Sequence, residues 1–128
     1  MIPLLFLFAA SADLDALNSA VARCDRRTAS PVFAAEQAER SASILEAYRE
    51  QEAIVALRLA VAQKRAAMRE GGKILAADEK KLALEEASIE DRQRALNDKR
   101  MLEGIRRDAM DTMRRYFLLN CPAGQTDK

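Results

Sequence analysis

The two cysteines are the side chains of this sequence best suited to react with each other. Cys24 and Cys121 are the only cysteines in 128 residues. In an exported protein, one such pair favours a structural disulfide, whereas in the cytosol it would remain as two reduced, buried thiols. We predict a Cys24–Cys121 disulfide in an exported chain, with the reduced pair as the alternative.

Residue types that commonly carry catalysis are scarce. The sequence has no histidine, which removes the usual general base, the cysteine–histidine pair and most zinc sites. It also lacks a glycine-rich phosphate loop and a GxSxG motif. Adjacent carboxylates, at Glu85-Glu86 and Glu90-Asp91, diverge by about 100° on a helix and lie among lysines and arginines, which indicates a solvated face. We predict a protein that is not an enzyme and has no cofactor and no metal site.

Two arginine doublets are the nearest approach to a nucleic-acid signal. Arg106-Arg107 and Arg114-Arg115 lie about two helical turns apart, but Asp108 and Asp111 interrupt them. The formal net charge is only +1, and no aromatic residues alternate with the arginines, as they do in many nucleic-acid-binding segments. We expect these arginines to pair with the acidic part of the first long helix and predict no nucleic-acid partner.

The N-terminal segment Met1–Ala12 contains no charged side chain. Its apolar run ends in Ala10-Ser11-Ala12, which is typical of the cleavage site of a secretory signal. It has no preceding lysine or arginine and is shorter than the roughly 20 apolar residues that span a bilayer. We predict a signal peptide at residues 1–12, a helical domain at 13–122 and a disordered tail at 123–128. The alternative is an apolar arm packed on the domain. The predicted location is periplasmic or secreted, with no membrane span after signal removal.

The composition predicts long helices and no strands. Hydrophobic residues make up 49% of the chain, many of them alanine, and charged residues 32%, with only four glycines and three prolines. This composition is typical of long helices and coiled coils. Two adjacent glycines, Gly71 and Gly72, favour a turn because glycine adopts positive φ readily and is costly inside a helix. We predict an all-α fold, a long antiparallel two-helix hairpin that bends at this pair.

The predicted helices follow from their end signals. Apolar residues at three- and four-residue steps predict a short amphipathic helix from Asp13 to about Cys24, packed at the open end of the hairpin. Ser30-Pro31 is a favourable start for the first long helix, which should end near Glu70. The second should begin between Ile74 and Asp78 and end near Leu119.

A bend at the glycines predicts which residues face each other. Apolar residues repeat every seven positions on both long helices, as a coiled-coil seam requires. The expected apolar pairs are Met68–Leu75, Val61–Leu82, Ile54–Ile89 and Tyr48–Leu96. The expected polar pairs are Arg65–Asp78, Lys64–Glu79, Arg58–Glu85 and Gln51–Arg92. Nearer the open end, small residues should face larger ones, with Ala34, Ala35, Ala38 and Ala42 opposite Leu102, Ile105, Ala109 and Met113.

Apolar residues outside this seam predict a second buried face that receives the N-terminal helix or another subunit. They are Leu45, Val55, Leu57, Leu59, Leu84, Leu118 and Leu119. The N-terminal segment, the paired cysteines and the absence of catalytic residues together predict a small exported protein that acts by binding another protein. Its role would be that of a scaffold, chaperone-like clamp or inhibitor, with a homodimer as one arrangement. The alternative is a cytosolic coiled-coil adaptor or weakly basic regulator that contacts nucleic acid.

Overall fold

Three helices account for nearly all of the described chain. In the computed structural model they are α1 (Leu5–Ala22), α2 (Arg26–Glu70) and α3 (Ala76–Asn120). The structure describes the backbone of residues 5–72 and 74–122 and, outside residue 73, the side chains from Leu14 to Pro122. No strand occurs in these ranges, so the all-α prediction is confirmed there. The predicted tail, residues 123–128, and the start of the predicted signal segment lie outside the described residues.

The chain divides into two compact units. Unit 1 contains Met1–Ser41 and Gly104–Lys128, and unit 2 contains Ala42–Glu103. Each unit therefore includes part of α2 and part of α3, and these parts pack against each other in each unit. The packing of α2 on α3 is consistent with a hairpin.

The core of unit 1 lies among all three helices. Its most buried side chains, each at most 3% exposed, are Leu17, Ala20, Val21, Ala29, Met110, Phe117 and Cys121. The rings of Phe33 and Phe117 lie 5.8 Å apart between centroids. The guanidinium of Arg26 lies 4.8 Å from the centroid of the Phe117 ring and donates a 2.8 Å hydrogen bond to the carbonyl of Cys121. Arg26 thus satisfies a carbonyl at the end of α3 and covers an aromatic core residue.

A tight cap separates α1 from α2. The Asp25 amide donates to the Ala20 carbonyl and the Cys24 amide to the Val21 carbonyl, which is the hydrogen-bond pattern of a Schellman motif. Cys24 occupies the left-handed position with φ 54°, where glycine is the usual residue. The Asp25 carboxylate then accepts from the Thr28 hydroxyl at 2.7 Å and from the Thr28 amide, so Asp25 is the N-cap of α2.

The predicted bounds of α1 and of the start of α2 were therefore wrong. We expected α2 to begin at Pro31 with Ser30 as its cap, but it begins at Arg26 and Pro31 lies inside it. Asp25 accepts hydrogen bonds in the first turn, and Arg26 is held by its contacts with α3, so the helix begins before the proline. Helix α1 extends from Leu5 rather than from Asp13 and ends at Ala22.

The Asp25 cap predicts a pH-dependent contribution to stability. Hydrogen bonds from the side chain and backbone of Thr28 hold the pKa of Asp25 below its usual value. A carboxyl whose pKa is lowered on folding stabilises the fold above its unfolded pKa of about 3.9, and this contribution is lost as the pH falls through the folded pKa. In thermal melts between pH 7 and pH 3, the midpoint of Asp25→Asn should fall less than that of the wild type.

Asp98→Asn is the matched control, because Asp98 is exposed on α3 and makes no side-chain hydrogen bond with a described residue. Its melting midpoint should follow that of the wild type across the pH range. Equal acid sensitivity of the wild type and Asp25→Asn would contradict a role for the ionised cap.

The core of unit 2 follows two seven-residue repeats. Ile54 and Val61 on α2 are buried together with Leu82, Ile89 and Leu96 on α3, and Ala47 and Met68 pack against them. Two predicted rows, Ile54 with Ile89 and Val61 with Leu82, therefore have both members in this cluster. In the other two rows, Leu75 is 65% exposed and Tyr48 is also exposed, whereas its neighbour Ala47 packs against the cluster. The buried seam therefore follows the strict seven-residue repeat, and its first member on α3 is Leu82.

Charged and amide side chains join α2 to α3 beside this core. Lys64 bonds to Glu85 at 3.2 Å, and Gln51 and Gln93 exchange two 3.0 Å amide hydrogen bonds. The other pairs are Glu46–Lys99, Glu50–Arg92, Arg58–Glu90, Arg65–Glu79 and Arg65–Glu86. Partner numbers on α3 fall from 99 to 79 as those on α2 rise from 46 to 65, which is the order that a hairpin requires.

The predicted polar partners were each displaced along α3. Arg65 bonds to Glu79 and Glu86 instead of Asp78, and Lys64 bonds to Glu85 instead of Glu79. Arg58 bonds to Glu90 instead of Glu85, and Gln51 bonds to Gln93 instead of Arg92. Lysine and arginine side chains are long enough to reach a carboxylate one turn away, so facing backbone positions do not determine their partners. Exposed pairs of this kind add little stability.

Candidate protein-binding surface

The predicted site residues lie at the helix ends. Cys24 and Cys121 form a disulfide with their Cα atoms 5.4 Å apart, in unit 1. In unit 2, α2 ends at Glu70, and Gly72 has a φ of 91°, a conformation that favours glycine. Among the described residues, no group of three or more histidine, cysteine, aspartate or glutamate side chains is arranged to hold a metal ion.

Apolar side chains form an exposed face on α2 of unit 2. We call Ile44, Tyr48, Val55 and Leu59 the apolar face of α2; their exposed fractions are 61%, 61%, 56% and 57%. They follow one another at steps of four, seven and four residues, which places them within an arc of about 60° on the helix. One side of α2 therefore presents apolar surface along more than four turns.

The apolar face is separate from the buried seam. Val55 directly follows Ile54, which is fully buried against α3, so the two side chains diverge by about 100°. The hydrogen-bonded Gln51–Gln93 pair lies beside the core and adjoins this face. Since the seam already uses the Ile54 side of α2, the apolar face has no covering element among the described residues of unit 2.

An open groove marks the middle of this face. It has a volume of about 410 Å³ and is lined by Tyr48, Gln51, Glu52, Val55 and Ala56. All five residues belong to α2, so the groove is a shallow depression in the helix surface. Glu52, at its edge, forms no ion pair with a described residue. An apolar centre with a polar edge is the usual pattern of a protein interface.

The described residues of unit 1 also expose apolar side chains, but in a less regular arrangement. Of the C-terminal cluster Tyr116–Leu119, only Phe117 enters the core, whereas Tyr116, Leu118 and Leu119 are exposed. Leu118 and Leu119 are adjacent and therefore point about 100° apart. The doublet residue Arg106 lies 4.0 Å from Glu39 on α2, in line with the expected pairing. These residues form no continuous stripe comparable to the apolar face of α2.

The sequence spacing of the four residues in the apolar face of α2 is sufficient to identify the stripe, but we did not predict that they form one exposed face. We expected Val55 and Leu59 to belong to a second buried face, placed Tyr48 in the seam and did not single out Ile44. All seven residues predicted for that second face are exposed in the single chain, including Leu84 and Leu119, so α1 does not cover them, and cover by another subunit stays a prediction. Helix α1 instead contacts the core of unit 1 through Leu17, Ala20 and Val21. The steps of four, seven and four would have identified the stripe, but only packing distinguishes an exposed stripe from a buried one.

The comparisons with known proteins supply no relative for this chain: no family model, curated protein or solved structure matches it. Within the described ranges, no helix combines the length and the apolar composition that a membrane span requires.

Proposed function

We propose that this chain is a small exported protein, folded as an antiparallel helical hairpin, that acts by binding another protein through the apolar face of α2. The role would be that of a scaffold, a chaperone-like clamp or an inhibitor. The observation that carries the proposal is the exposure of four large apolar side chains along one side of a helix whose other side is already packed. Contiguous exposed apolar surface of this kind commonly marks an interaction site.

Two features support export. The chain contains a disulfide, a bond that persists in oxidising compartments and is rare in the cytosol. Residues Met1–Ala12 have the apolar run and small-residue end of a secretory signal. The apolar face supports a binding role that needs no catalysis. Burial of apolar area is favourable by about 25 cal/mol per Å² and requires no reactive group.

Site-specific photo-crosslinking in intact cells tests the proposal. A photoreactive amino acid is placed at Val55, in the middle of the apolar face, and in a second variant at Leu84, which is exposed on α3. We expect a discrete protein adduct from the Val55 position and none from the Leu84 position. Adducts of equal yield from both positions, or no adduct from Val55, would contradict binding through this face.

A further inference from the structure

The apolar face of α2 changes in side-chain size along its length. Its four large residues occupy the start of the face, with Ile44 and Tyr48, and its middle, with Val55 and Leu59. The same stripe continues through Ala62 and Ala66, both exposed, at further steps of three and four residues. The face therefore has a bulky end and a flat end. A partner that fits this face must therefore present small side chains opposite Ile44 and Tyr48 and large side chains opposite Ala62 and Ala66.

A second copy of the same helix, running in the opposite direction, has that shape. We propose that the apolar face of α2 binds the same face of a second copy, with the two helices antiparallel about a twofold axis near Val55. Tyr48 of each copy then lies over Ala62 of the other and Ile44 lies over Ala66, while the two Val55 side chains meet at the axis. Such an interface is closed and self-complementary, as in most homodimers. This inference rests on the proposed function, since it identifies the partner of that surface.

The charge distribution suits two copies better than a membrane surface. The stripe from Ile44 to Ala66 has no charged residue along its centre, so contact buries no unpaired charge there. Glu52 lies at the edge of the groove, and a carboxylate at the rim disfavours an anionic lipid surface. On the other edge, Gln51 and Arg58 already bond to Gln93 and Glu90 on α3. Association of two copies therefore brings no unpaired like charges together at that edge.

The available area indicates a reversible dimer. Four side chains that are each more than half exposed leave on the order of 400 Å² of apolar surface, near the size of the largest functional patches on monomers. With the two alanines and the rim, the contact approaches the lower end of specific interfaces, which is about 600 Å² per partner. We therefore expect a dissociation constant on the order of micromolar for the purified chain.

Sedimentation equilibrium of the purified full chain, with a size-exchange pair of variants, tests the inference. Ala62→Tyr places a second large ring opposite Tyr48 of the other copy and should weaken the dimer at least about tenfold. The double variant Tyr48→Ala/Ala62→Tyr exchanges the bulky and flat positions and should restore the dissociation constant to within about threefold of the wild type. Leu84→Ala, on α3, is the control and should leave it unchanged.

The outcomes separate this inference from the proposed function. A wild-type chain that remains monomeric up to several hundred micromolar overturns the inference, and so does a double variant that associates no better than Ala62→Tyr. If the Val55 position then crosslinks in cells to a different protein, the proposed function stands with another partner. If it crosslinks to nothing, the proposed function fails as well. Circular dichroism of each variant verifies that the helices are intact.

Discussion

Replacement of both cysteines by alanine should lower the free energy of unfolding by about 2–5 kcal/mol. The disulfide joins residues 97 positions apart, so its loss frees a long closed loop in the unfolded chain. It also joins Cys24, two residues after the end of α1, to Cys121, directly after α3. Cys121 is 3% exposed and belongs to the unit 1 core. Alanine is preferred to serine because a hydroxyl at the Cys121 site would be buried.

Chemical denaturation, followed by circular dichroism at the helix band, measures this effect. The wild type under reducing conditions is the matched control and should unfold at nearly the same denaturant concentration as the double variant. Each single variant should also behave like the double variant, since either one removes the bond. A loss below about 1 kcal/mol would show that the disulfide contributes little to the stability of this fold.

The second large effect concerns the seam of unit 2. Leu82→Ala should destabilise the protein by about 2–4 kcal/mol, because truncation of a buried leucine loses transfer free energy and leaves a cavity. Leu82 is 1% exposed and belongs to the cluster formed with Ile54 and Val61. Among the described residues of unit 2, only five side chains are buried, namely Ile54, Val61, Leu82, Ile89 and Leu96. A cavity at Leu82 therefore has few neighbours that could move to fill it.

Leu84→Ala is a closely matched control for this prediction. Leu84 lies two positions further along the same helix and is 65% exposed, so its truncation should change the free energy of unfolding by less than about 0.5 kcal/mol. Both variants have the same change of residue type and a similar effect on helix propensity. Equal destabilisation by the two substitutions would contradict the assignment of Leu82 to the seam.

Local signals in the sequence predicted the end of α2 and the start of α3 well. Gly71-Gly72 follows the end of α2 because two glycines both end a helix and supply a positive φ. Helix α3 begins at Ala76, inside the predicted range. The negative charges of Asp78 and Glu79 in its first turn interact favourably with the positive end of the helix dipole. The helix ends that depend on neighbouring residues were harder to predict. Asp25 and Ser30 are both good caps, and contacts of Arg26 with α3 favour the earlier one.

The seam was predicted best where the seven-residue repeat was applied strictly. Seven residues before Ile54 is Ala47, which packs on the core, but we preferred the larger Tyr48 beside it. Beyond Leu96 the same spacing passes through the partly exposed Glu103 and then reaches Met110 and Phe117, both buried in unit 1. We instead expected Leu102 and Ile105 to be covered by alanines, and they remain exposed along with Ala34, Ala35, Ala38 and Ala42. Side-chain size is a weaker guide to the buried face of a helix than strict spacing.

The candidate binding surface could be predicted only in part. Sequence alone identifies apolar residues beyond those that the seam needs, such as Val55 and Leu59. Whether they are covered depends on where α1 packs, and α1 contacts the unit 1 core. That choice follows from contacts with Ala29, Met110 and Phe117, which belong to other helices and produce no local sequence pattern.

The intact mass of the native protein, isolated from its own cells and measured without reductant, tests most directly whether this is an exported, disulfide-closed helical protein. We predict a chain that begins at Asp13 and resists alkylation until it is reduced, when two thiols, Cys24 and Cys121, react. A native chain that retains Met1 and is alkylated at both cysteines without reduction would contradict export and the disulfide, and would favour a cytosolic coiled-coil adaptor instead.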